Sequence, residues 1–112
     1  MRISILLAGA VLAALSHLPS AEAAGIDCAT AKEAHDKAIC ADPTLHQLDQ
    51  DLAAAYERLA SAASAAGSAH VQRDAHDRHA FIEELCVPAD AGCLASAYRQ
   101  GLASVTKFAA QP

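Results

Sequence analysis

Residues 40–59 read CADPTLHQLDQDLAAAYERL, and this stretch decides the fold class. Asp42 can accept from the free amides of a first helical turn, and Pro43 suits the first helical position, where its missing N–H is harmless. From there Leu45, Leu48, Leu52, Tyr56 and Leu59 recur at intervals of three and four, with Ala55 and Ala63 on the same stripe. The pattern predicts an amphipathic helix running to about Ala66, about 36 Å long, with Gly67 as its stop.

Working outward, the same period continues and no stretch alternates with period two. Downstream, Ser68 is placed to cap a third helix through Cys86, with Val71, Ala75, Ile82 and Leu85 inside and Phe81 beside them. Val87-Pro88 breaks that run. Asp90 then precedes a fourth helix whose face carries Leu94, Tyr98, Leu102 and Val105 to about Phe108. Upstream, the Thr30-x-x-Glu33 pattern is a candidate capping box for a short first helix ending at Cys40. The expectation is an all-α, disulfide-stapled bundle of about four helices, the second longest, forming one domain over residues 24–112.

Residues 1–23 have a different character. Met1 and Arg2 precede an apolar run from Ile3 to Leu15, and Ala21-Glu22-Ala23 has the small-x-small form of a cleavage site. This is the layout of a bacterial secretory signal peptide, too short for a membrane span, with cleavage expected after Ala23 or Ala24. Aspartate before the first cysteine, in Gly25-Ile26-Asp27-Cys28, argues against lipid attachment. The expected location is the periplasm or outside the cell, with no membrane insertion after cleavage.

Composition agrees with a small exported chain. The 112 residues are 54% hydrophobic, but thirty of them are alanines, so few large side chains supply a core. A domain of this size buries only about 60 to 65% of its unfolded surface, and covalent staples matter. Four cysteines in an oxidising compartment read as two disulfides, with three possible connectivities. Sequential pairing, Cys28 with Cys40 and Cys86 with Cys93, requires the first helix to start near Ala34. A full helix from Ala31 would be about 14 Å long and hold Cys28 out of reach. Net charge is −5, and cleavage at Ala23 removes one basic and one acidic residue, Arg2 and Glu22, leaving it unchanged. That balance disfavours nucleic acid and anionic membranes as partners and suits a cationic protein.

The order of features resembles the N-terminal domain of the LprI-type lysozyme inhibitor family, a family of small exported helical domains. The resemblance rests on Cys-x11-Cys ending in Ile39-Cys40, then Asp42-Pro43, Leu45, Leu48-Asp49, Leu52 and Tyr56, and on Leu94, Tyr98 and Arg99 after Cys93. It implies contact with lysozyme or another cationic envelope protein. The third segment departs from the family, which usually places a glutamine, a tryptophan and an arginine before the third cysteine. Here His76, His79 and Glu83 occupy those places, and Gly101 stands where a longer residue is usual, weakening the last helix by about 1 kcal/mol.

Few residues suggest chemistry. Asp49 reads first as an acidic residue near a helix N-terminus or paired with a basic neighbour, and second as a contact for a partner or internal cation. Tyr56 and Tyr98 are expected to pack across the helices with their hydroxyls at the rim. The stretch from His70 to Glu83 carries charges of both signs and reads as a solvated helix face. His76, His79 and Glu83, at i, i+3 and i+7, are the residues on one face that a zinc or copper ion would use. No Ser-His-Asp spacing or glycine-rich phosphate loop occurs, so no catalytic residue, metal or cofactor is expected. The functional expectation is a non-enzymatic exported binding protein resembling lysozyme inhibitors. The alternatives are an acid- or envelope-stress chaperone, suggested by five histidines after the leader, and an accessory domain with an unknown envelope partner.

Overall fold

A computed structural model describes residues 25–110 of the chain; the signal-peptide reading of residues 1–23 lies outside them. The described residues form four helices, α1 (Ala34–Ala41), α2 (Pro43–Ala62), α3 (Ala65–Leu85) and α4 (Ala91–Ala109), and no strand. None is long and apolar enough to cross a membrane.

The caps explain the boundaries. Asp42 Oδ1 accepts from Thr44 N at 2.9 Å and Leu45 N at 3.3 Å, with Pro43 opening α2, as the sequence predicts. Asp90 accepts from Cys93 N at 2.9 Å and starts α4. The α2–α3 corner departs from expectation: Ser64, not Ser68, caps α3, its hydroxyl accepting from Gly67 N at 3.2 Å. An earlier serine captures the first-turn amide, so α2 ends at Ala62 and Gly67 lies within α3 instead of stopping α2. The two long helices are consequently equal to within one residue, 20 and 21.

Thr30 does not cap α1. Its hydroxyl donates to the Asp27 carbonyl at 3.4 Å, Asp27 Oδ1 accepts from Ala29 N at 3.0 Å, and Glu33 precedes α1 with no side-chain cap. This tight turn folds Cys28 back, and because α1 starts only at Ala34 the disulfide to Cys40 closes across a Cα–Cα distance of 5.6 Å. Cys86 and Cys93 pair across the α3–α4 loop at 5.7 Å. Both distances are ordinary for a disulfide, and the pairing is sequential.

α2 packs chiefly against α4 and α3, while α1 lies against α2 and touches α4. The core contains Ile39, Leu45, Leu52, Tyr56, Val71, Ile82, Leu94, Tyr98 and Val105, with Ala55, Ala60 and Ala97 letting backbones approach. The helix stripes read from the sequence face inward except at Ala63, an exposed residue just past the end of α2, and at Leu85 on α3. Phe81 and Leu85 are each 53% exposed, because the inner face at that end is occupied by Ile82 and Cys86. Gly101 is buried where α4 meets α2, and a Cβ there would stand 3.3 Å from Leu52 Cδ2. Its absent side chain therefore allows a close helix crossing as well as weakening the helix.

Candidate functional site

Asp49 lies four residues after Leu45 and three before Leu52, inside the apolar stripe of α2, and packing carries it into the interior. It is 5% exposed. Its Oδ1 accepts from the Tyr98 hydroxyl at 3.0 Å and its Oδ2 from Ile26 N at 2.7 Å. Asp49 is thus buried, and among the described residues no basic side chain pairs with it. It ties α2 to α4 and to the N-terminal segment. Burial, then the neighbouring Asp49 charge, holds the Tyr98 phenol well above the ordinary tyrosine pKa. The two tyrosine hydroxyls do not share a rim: that of Tyr98 is interior, while that of Tyr56 accepts from Arg78 Nε at 3.5 Å.

Beside this tie opens a cleft of about 310 Å³ between the N-terminal segment, α2 and α3, with Asp49 and Tyr98 on its floor and Asp36, His76 and His79 on its wall. At the wall the side chains of α1 and α3 meet. His35 Nε2 lies 3.1 Å from Glu83 Oε1, His79 Nδ1 3.5 Å from the same oxygen, and His79 Nε2 3.6 Å from Asp36 Oδ1. The His35 and His79 rings sit 5.6 Å apart at 46°. One donor atom from each of His35, Asp36, His79 and Glu83 lies within 4.8 Å of every other.

Of the three α3 residues at ligand spacing, the fold brings His79 and Glu83 together and leaves His76 out. The His76 side chain, at the rim of the cleft, is 81% exposed, and the carboxylate beside it is that of Asp77, at 3.7 Å. A straight helix turns i and i+3 apart by about 60°, enough here to send one histidine to solvent and the other toward α1. The remaining members, His35 and Asp36, come from α1. Their one local signal is that His35 stands four residues before buried Ile39, a histidine on an apolar face. All four cysteines are in disulfides and are not ligands.

The residues that carry the family resemblance are mostly structural. Ile39, Leu45, Leu52, Tyr56, Leu94 and Tyr98 are core, Asp42 and Pro43 form a cap, Leu48 is half-buried and Arg99 is exposed. A second feature is on the surface: Phe81 and Leu85, one turn apart, continue to Val87, which is 78% exposed. Phe81 borders a shallow groove with Asp74, Asp77, Arg78 and Tyr56. Compared with known proteins, the chain matches no family model, no curated protein and no solved structure.

Proposed function

We propose that the protein is an exported binding domain, not an enzyme, that acts by contact with a cationic protein of the bacterial envelope or its surroundings, with lysozyme as the first target to test. The observation that carries this reading is the exposed apolar strip of Phe81, Leu85 and Val87, next to a groove at Phe81 lined by two carboxylates, Asp74 and Asp77, and one base, Arg78. An apolar patch beside a net-acidic groove is the form expected of a contact surface for a basic partner. The net charge of −5 would steer such a partner in. Two disulfides support the exported, periplasmic reading of the leader.

The lysozyme reading has a chemical requirement. The enzyme's cleft holds two catalytic carboxylates, so an acidic surface alone does not fill it and a neutral element has to enter. The Phe81–Val87 strip supplies such an element, while His76, His79 and Glu83 stand where the family places its glutamine, tryptophan and arginine. Purified, oxidised protein in molar excess is expected to lower muramidase activity at low salt, with the effect weakening as salt rises. Phe81→Ala with Leu85→Ala should abolish most of the inhibition without unfolding the domain, since both side chains are half exposed. Unchanged activity in the presence of the unmodified protein would sink the reading.

A further inference from the structure

The cluster where α1 meets α3 has a composition and burial that contact with a protein partner does not account for. His35 is 8% exposed, and its Nε2 is buried with no hydrogen-bond partner among the described residues. Glu83 Oε1 is 3.1 Å away, but the pair is not aligned as a hydrogen bond. Asp36 Oδ1 is likewise buried without a donor, although His79 Nε2 and His35 Nδ1 stand 3.6 and 3.7 Å from it. An unpaired buried nitrogen and carboxylate oxygen each carry a desolvation cost that no hydrogen bond offsets. Buried polar groups are almost always satisfied, so two orphans in one cluster point to a missing common partner.

We propose that His35, Asp36, His79 and Glu83 form a binding site for one divalent transition-metal ion, with zinc the best fit. Two imidazoles and two carboxylates are an ordinary zinc donor set, and the nitrogens disfavour the hard cations calcium and magnesium. Two carboxylates with two neutral imidazoles also balance the charge of the ion, leaving no net charge in a half-buried place. Tetrahedral coordination with bonds of about 2.0 to 2.1 Å sets donor atoms about 3.3 to 3.4 Å apart. The 3.1 Å between His35 Nε2 and Glu83 Oε1 is close to that spacing, and His79 offers one nitrogen, either Nδ1, 3.5 Å from Glu83 Oε1, or Nε2, 3.6 Å from Asp36 Oδ1. With one donor atom per residue the set lies within 4.8 Å, which asks for side-chain rotation.

The ligands come in two pairs, adjacent residues on α1 and i, i+4 on α3, so the ion would clamp together two helices that otherwise meet little. Asp36 and His79 also line the cleft, which gives the ion its route from solvent. The site differs from the one the α3 spacing suggested, because His76 takes no part.

The test is calorimetric titration of Zn²⁺ into the oxidised, metal-stripped protein, with Co²⁺ absorption as a second readout of coordination. Expected are one ion per chain, a dissociation constant in the micromolar range or below, and visible bands of four-coordinate Co²⁺. His35→Ala with His79→Ala should weaken binding at least about 100-fold, and His76→Ala should leave it unchanged. His79→Asn and Glu83→Gln, at side chains more than a third exposed, give folded variants that should each weaken binding if the buried double variant does not fold. No saturable binding by the unmodified protein up to about 100 μM Zn²⁺ overturns the proposal. Binding that survives loss of His79 and Glu83, or that is lost with His76, overturns it equally. The lysozyme assay is independent of this outcome, since Phe81 and Leu85 are not among the ligands.

Discussion

At the scale of single residues, the Asp49 carboxylate governs the interior. It gathers the Ile26 amide and the Tyr98 hydroxyl, so one side chain of α2 holds two other parts of the chain. A hydrogen bond to a charged group contributes about 1.5 to 3 kcal/mol, and Tyr98→Phe should lower stability by about that much, read as a lower denaturant midpoint at neutral pH. The same pair sets a pH dependence. Tyr98 has its pKa raised in the folded state, mainly by burial, whereas in the unfolded chain it ionises near 10. Below that pH the contribution is fully present. As pH rises beyond it, the unfolded chain releases a proton that the folded chain retains, so stability falls. The decline between about pH 10 and 11.5 should be visibly shallower in Tyr98→Phe. That Asp49 is interior was available from its place within the Leu45–Leu52 stripe. The identity of its partners was not, because Tyr98 lies 49 positions along the chain.

At the scale of elements, the α2–α4 crossing turns on Gly101. Alanine there gains about 1 kcal/mol of helix propensity, but its Cβ meets Leu52 Cδ2 at 3.3 Å, a flexible end that has to give. The two effects nearly cancel, and Gly101→Ala should change stability by no more than about 1 kcal/mol. Gly101→Leu has no such room and should cost about 1 to 3 kcal/mol by forcing the helices apart, measurable by thermal and chemical unfolding. Helix starts at Asp42 and Asp90 were readable because a cap is a local interaction between neighbours in sequence. The α2–α3 corner was not, since Ser64 and Ser68 are equivalent in local chemistry and the choice depends on where α3 must lie to bury Val71 and Ile82. Phe81 and Leu85 escape the core for a related reason. The stripe of α3 is wide enough to bury Ile82 and Cys86 or their neighbours, but not both.

At the scale of the whole molecule, a core rich in alanine leaves much to the covalent staples. The Cys28–Cys40 loop of 13 residues and the Cys86–Cys93 loop of 8 contribute about 3 and 2.5 kcal/mol on a chain-entropy estimate. Replacing either pair with serine should lower stability by roughly those amounts, against a total of about 5 to 10 kcal/mol, with the first pair costing more. Reduction of both should bring the domain close to unfolding at room temperature, followed by loss of helical circular dichroism. By itself the sequence determined the helical class, the cap of α2 and the beginning of α4, the inward stripes and the even cysteine count, all consequences of short-range periodicity and turn chemistry. Only the tertiary structure decided which cysteines pair, which carboxylate is buried, and that His35 and Asp36 join His79 and Glu83 while His76 does not. Local pattern fixes which face of a helix is apolar; which faces meet, and at what rotation, follows from packing four helices together around a small core.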